Sequence, residues 1–151
     1  MTRVPWSMVT IRIAENVDVN LVEAYERLTP QLSSSSPAPT ADELAAIIRS
    51  DSSTVLVAED ESGEILGSMT LVTFQIPTGV RAWIEDVVVD TKARGQGVGR
   101  ALNEFALQLA EQAGAKTVDL TSRPSREAAN RLYQRLGFVP RETNVYRYTF
   151  N

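Results

Sequence analysis

Three glycines and two arginines stand together in Arg94-Gly95-Gln96-Gly97-Val98-Gly99-Arg100, directly after the apolar run Val87-Val88-Val89 and at the start of an amphipathic stretch beginning at Val98. Glycine lets the backbone turn tightly and lets a ligand approach it closely. The first amides of a helix have no intrahelical acceptor, and the helix dipole and the charges of Arg94 and Arg100 place positive potential on them. The segment therefore has the chemistry of an anion cradle suited to a pyrophosphate. Spacing excludes two phosphate loops. A Walker loop needs Lys-Ser/Thr after its last glycine, where this chain has Arg100-Ala101, and in the Gly-x-Gly-x-x-Gly fingerprint the third glycine falls one residue later than Gly99.

The remaining pattern, Arg-x-x-Gly-x-Gly after a strand, resembles the acyl-CoA-binding loop of the GNAT superfamily of N-acetyltransferases. Asn130-Arg131-Leu132-Tyr133-Gln134-Arg135-Leu136-Gly137-Phe138 is similar to the helix and Gly-Phe turn that follow that loop in the superfamily. Together the two motifs and their connection occupy residues 83–140. A narrower resemblance, to glucosamine-6-phosphate N-acetyltransferases, rests on Glu85-Asp86-Val87-Val88-Val89 together with Leu28-Thr29-Pro30-Gln31-Leu32, and the chain departs from it at Ser122–Arg126.

The resemblance implies acetyl-CoA as cosubstrate, without a metal, with the diphosphate on Arg94, Gly95, Gln96, Gly97, Val98, Gly99 and Arg100. It also implies a pantetheine arm along the backbone of Val87 and Val89, the Val87 amide facing the thioester carbonyl. Tyr133 matches the tyrosine whose hydroxyl lies near the CoA sulfur, and Asn130 the side chain that orients the pantetheine arm. A phenol ionises near pH 10 and a thiol near 8.5, so a tyrosine is still protonated when the thiolate departs. Core packing is the alternative for Tyr133, capping for Asn130, and a solvated basic face for Lys92, Arg126, Arg131 and Arg135.

Amide formation also needs a neutral amine. Strand alternation puts Trp83, Glu85, Val87 and Val89 on one face, and Glu85 is a carboxylate in an otherwise apolar strand. It is the candidate to remove the amine proton through a water or to hold the ammonium, with a structural salt bridge as the alternative. Asp86 is expected to face the other way unless a bulge rotates the strand.

Composition narrows the chemistry further. The chain has no cysteine and no histidine, which removes thiol nucleophiles, disulfides, Cys/His zinc sites and Ser-His-Asp arrangements. Residues 1–91 hold 5 basic and 14 acidic side chains (net −9) and residues 92–151 hold 10 basic and 5 acidic (net +5); an acidic part of this kind would favour a cationic amine, with ordinary solvated surface as the alternative, and the overall acidity opposes nucleic-acid binding. No run is long enough to span a membrane and Met1–Val9 does not read as a signal peptide, so a cytoplasmic location is expected. A non-catalytic acyl-CoA-binding module is the rival to an enzyme, since both would share the loop.

The elements that must position these groups form an α/β pattern, expected as one domain over 1–151. Strands are expected at Val9–Ala14, Thr54–Glu59, Ile65–Gln75, Arg81–Val89, Val118–Thr121, Phe138–Arg141 and Val145–Phe150. Helices are expected at Val19–Leu28, from the Thr40/Glu43 capping box to Ile48, at Val98–Ala113, and from a Ser125 cap to Leu136. That gives a mixed, mostly antiparallel sheet of about seven strands covered by about four helices, as in the GNAT fold. The alternating terminal strand Val145–Phe150 is a candidate edge for a homodimer.

Overall fold

A computed structural model describes residues 9–151. They fall into two compact units, one ending at Leu120 and the other running from Thr121 to Asn151. The first contains β1 (Thr10–Ile13), α1 (Val19–Leu32), α2 (Ala41–Arg49), β2 (Ser53–Glu59), β3 (Ile65–Ile76), β4 (Gly79–Val89), a 3-10 turn (Thr91–Ala93), α3 (Val98–Gln112) and β5 (Val118–Asp119), and the second contains α4 (Glu127–Arg135).

The strands form one open mixed sheet in the order β1-β2-β3-β4-β5. Pairing is antiparallel from β1 to β4 and parallel between β4 and β5. Opposed residues share a face, so the register sorts the side chains. Val55, Val57 and Val88 lie on one face, in a core with Leu21, Ala24 and Leu28 of α1 and Leu44 of α2. Leu56, Met69, Leu71 and Ile84 alternate onto the other face and are all buried. There α3 comes close because Gly67 has no side chain: a Cβ would lie 3.0 Å from Val98 Cγ1 and 3.2 Å from Leu102 Cδ1.

Local signals account for most helix ends. Asp18 Oδ1 accepts from the Leu21 amide (2.8 Å) to start α1, and Thr40 and Glu43 form the reciprocal capping box of α2. Gly114 (φ 81°) ends α3, with its own amide on Glu111 O and that of Ala115 on Ala110 O, the bond pair of a Schellman stop.

Three expectations are corrected. Helix α1 does not stop at Leu28 but runs through Pro30 to Leu32; Pro30 removes one donor, while buried Leu28 and Thr29 and the packing of Leu32 hold the last turn in place. Ser125 does not cap α4, whose N-cap is Arg126 with no side-chain cap bond. Residues 138–141 and 145–150 are not strands, which leaves five instead of seven. The sequence in 145–150 does alternate, but Val145, Tyr146, Tyr148 and Phe150 are 70–88% exposed; without a partner ladder or buried face, alternation alone does not make a strand. Among the described residues no helix is long and apolar enough to cross a membrane.

Candidate active site

Strand β4 approaches its carboxyl end through a bulge. Thr70 pairs with Glu85 and Ser68 with Val88, so Asp86 and Val87 together oppose the single residue Met69. Asp86 takes φ 53°, the one non-glycine residue with positive φ among those described, in the left-handed position that such bulges impose on their first residue. An extra residue shifts the phase of the strand. Trp83, Glu85 and Val88 now share the face toward α1 and α2, while Val89, opposite Gly67, lies on the α3 face. The expected common face of Trp83, Glu85, Val87 and Val89 is therefore corrected, because strict alternation fails at residues 86 and 87. A bulged residue is also left out of regular ladder pairing, and Val87 is one of the two residues at that position.

Glu85 is exposed, and its Oε1 accepts a 2.7 Å bond from Trp83 Nε1, two residues back on the same face. No arginine pairs with it among the described residues. Asp86 is exposed as well, and its charge acts on Tyr25 of α1. Tyr25 lies 2.6 Å from Ser68 Oγ. Because Ser68 donates its own proton to Leu56 O (2.9 Å), Tyr25 is the donor of that pair. Burial pushes the Tyr25 phenol up, and the charge of Asp86 adds to it.

After β4 the chain makes the 3-10 turn and enters the glycine segment. Gly95 (φ 77°) and Gly97 (φ 82°) both use the left-handed region, which a side chain there would make costly by about 1–2 kcal/mol. Gly97 is the N-cap of α3, and no side chain caps that end. The first amide of α3 with an internal acceptor is Ala101, on Gly97 O at 3.0 Å. For the amides of Gly95 to Arg100 the described residues supply no acceptor. Gly99 lies in the first helical turn without positive φ. The flanking side chains are exposed: Arg94 Nε lies 3.4 Å from Val89 O, Gln96 Nε2 3.4 Å from Lys92 O, and Arg100 pairs with Glu104 at 2.7 Å. Val98 is buried and anchors the helix against the sheet.

In the second unit, Asn130 Nδ2 donates to Arg123 O (2.9 Å) and Arg126 O (2.8 Å), so its amino group braces the segment leading into α4. Tyr133 is 8% exposed and meets Phe138 edge to face at 5.7 Å between ring centres. Helix α4 ends in a second Schellman stop. Gly137 has φ 100° and its amide reaches Gln134 O, while the Phe138 amide reaches Tyr133 O at 2.9 Å. The Gly-Phe turn thereby fixes the tyrosine ring through the hydrophobic contact typical of that motif. Burial raises the Tyr133 phenol above its usual pKa, against a smaller lowering by Arg126.

The acetyltransferase (GNAT) family model matches residues 21–138. The chain belongs to the GNAT acetyltransferase family. A rice protein named "Probable glucosamine 6-phosphate N-acetyltransferase 2" (Oryza sativa subsp. japonica) is 33% identical over 125 residues, which cover 79% of this chain and 72% of that protein. A mycothiol acetyltransferase of Beutenbergia cavernae is 35% identical over 85 residues, 56% of this chain and 28% of that much longer relative. Among solved structures, a Trypanosoma brucei acetyltransferase is similar with a TM-score of 0.76 and 26% identity, over 93% of this chain and 99% of that one.

As a GNAT domain, the chain carries its loop glycines before α3, Glu85 on β4 and Tyr133 on α4. Sequence reasoning missed Trp83 as the group that holds Glu85, although their separation by two along a strand signals it. It also missed Tyr25 and Gln31, whose contacts on β3 and on the turn after β4 span 43 and 60 residues and leave no local pattern. Among the described residues no cluster of three or more His, Cys, Asp or Glu is placed to hold a metal.

Proposed function

We propose that this protein is an acetyl-CoA-dependent N-acetyltransferase that joins the acetyl group to a primary amine by direct attack in a ternary complex. The observation that carries this reading is the run of amides from Gly95 to Arg100, which find no acceptor among the described residues and follow a bulged strand across one 3-10 turn. Those amides, with Arg94 and Arg100, would hold the CoA diphosphate, and the backbone at Val87 and Val89 the pantetheine arm and thioester carbonyl. The amine nitrogen attacks the thioester carbon and the carbonyl oxygen takes up negative charge. On collapse the C–S bond breaks and the thiolate leaves.

Glu85, steadied by Trp83, is assigned the proton lost by the amine, directly or through water. By resemblance to the family, Tyr133 is assigned the proton given to the thiolate and Asn130 the orientation of the pantetheine arm. The acceptor is a small amine, amino sugar, amino acid or peptide N-terminus, and the acidity of residues 1–91 favours one that carries positive charge. Thiol release from acetyl-CoA with a panel of primary amines tests the reading. Turnover is expected on at least one, and Glu85→Gln is expected to lower kcat/KM by about 10²-fold or more and alter its pH profile while leaving CoA affinity unchanged. Tight CoA binding with no turnover on any amine would favour a non-catalytic acyl-CoA-binding module.

A further inference from the structure

The turn that delivers the chain into the glycine segment is fully bonded. Asp90 N–H donates to Leu66 O (2.8 Å), Thr91 N–H to Gln31 Oε1 (2.8 Å), Lys92 N–H to Asp90 Oδ1 (3.2 Å), Ala93 N–H to Asp90 O (2.8 Å) and Arg94 N–H to Thr91 O (3.4 Å). At Gly95 this changes, and the uncommitted amides begin. All but one of these acceptors belong to the neighbouring strand β3 or to the turn itself. The exception is the side chain of Gln31, from the last turn of α1.

Gln31 is itself held. Its Nε2 donates to Arg27 O at 3.1 Å, and Arg27 returns to the same turn, with Nη2 on Ile65 O at 2.7 Å and Nε 3.5 Å from Asp90 Oδ2. Asp90 is buried, so this ion pair lies at the base of the turn. Lys92 closes the outer side by pairing with Glu64. Helix α1 reaches Gln31 only because it continues past Pro30.

We infer that Gln31 is a positioning residue for the cofactor loop: by accepting the Thr91 amide it fixes where the 3-10 turn ends and hence where the amides from Gly95 onward point. This rests on the reading that those amides bind CoA. Gln31 touches neither cosubstrate nor acceptor; it acts through Thr91. Its loss should therefore weaken CoA binding without changing how the amine is bound or how fast the bound complex reacts.

A double-mutant cycle on the full chain tests this, with CoA dissociation constants from calorimetry and steady-state kinetics on the best amine. Gln31→Met keeps length and packing but removes the acceptor. Thr91→Pro removes the donor. Asp90 already has φ −53° and ψ 136°, the extended region preferred before proline, and the first position of a helical turn accommodates proline.

Gln31→Met is expected to weaken CoA binding by about threefold to tenfold, the range of one net hydrogen bond, with amine KM and kcat within about twofold of wild type. In the Thr91→Pro background the same substitution is expected to change CoA affinity by less than about twofold, because the bond it removes is already absent. Unchanged CoA affinity in Gln31→Met, an equal loss in both backgrounds, or a rise in amine KM in place of the CoA effect would each overturn the inference. Gly97→Ala separates the two levels. If wild type does not bind CoA, or Gly97→Ala binds it equally well, the cofactor reading itself fails; if Gly97→Ala loses affinity and Gln31→Met does not, only the role of Gln31 fails.

Discussion

Asn103 should be more costly to stability than the leucine that could replace it. It lies in the second turn of α3 and is fully buried. Its Nδ2 donates to Gly99 O at 2.8 Å, but its Oδ1 has no partner. A buried acceptor left unpaired costs about 1–3 kcal/mol, whereas the bond made by Nδ2 contributes only about 0.5–1.5 kcal/mol net. That bond is also redundant for its acceptor, because the helical ladder already directs the Asn103 backbone N–H to Gly99 O. Asn103→Leu keeps the branching at Cγ, removes the orphan and puts two methyl groups where the amide was.

With the lost bond subtracted from the relieved cost, net stabilisation of about 1 kcal/mol is expected, which for a chain of this size corresponds to a rise in Tm of about 2–4 °C. Thermal melts followed by circular dichroism and calorimetry, with urea titrations to confirm an unchanged m-value, would read it. Asn103→Ala removes the same orphan but leaves a cavity and should gain less or lose stability. A leucine variant that melts below wild type would refute the reasoning, since Oδ1 would then have a partner worth more than the apolar contacts that replace it. Affinity for CoA, measured on the same samples, is expected to stay at the wild-type level, because the change keeps Val98 and Gly97 in place.

Two further outcomes follow from the bulge and the buried phenol beneath it. Asp86 sits at φ 53°, so Asp86→Gly should stay within about 1 kcal/mol of wild type, relief of strain offsetting the entropy of the unfolded glycine, whereas Asp86→Val should cost about 2 kcal/mol or more in urea unfolding; a tolerated valine would mean that the left-handed conformation is not required. Tyr25 has a folded pKa raised by burial, so the folded state retains a proton that the unfolded state gives up near pH 10, and stability is fully present below that pH and falls as pH rises beyond it. Tyr25→Phe should lower Tm at pH 7 through loss of the Ser68 bond yet flatten the decline above pH 10, and an equally steep alkaline decline in both proteins would assign that slope to other groups.

What could be read in the sequence is what short-range chemistry determines. The capping box at Thr40 and Glu43 and the glycine segment before α3 each depend on residues within about one helical turn of each other, so composition and spacing reveal them. The errors lie where distant parts of the chain decide. Pro30 signals a helix end, but packing of Leu28 and Leu32 into the core carries α1 on to Leu32, and only that extension brings Gln31 to Thr91. Residues 145–150 have the alternation of a strand and lack a neighbour to pair with. The bulge at Asp86 and Val87 is the instructive middle case, since the residues that make it look like ordinary strand and the surplus residue appears only when β4 is counted against β3. That surplus leaves Glu85 in register with Thr70 and turns the strand at Asp86, so that Val88 returns to the face of Glu85. The backbone at Val87, to which the proposed acetyl transfer assigns the thioester carbonyl, is therefore set by the strand pair, and one residue inserted in β3 beside Met69 to restore regular pairing is expected to abolish activity with Glu85 itself untouched.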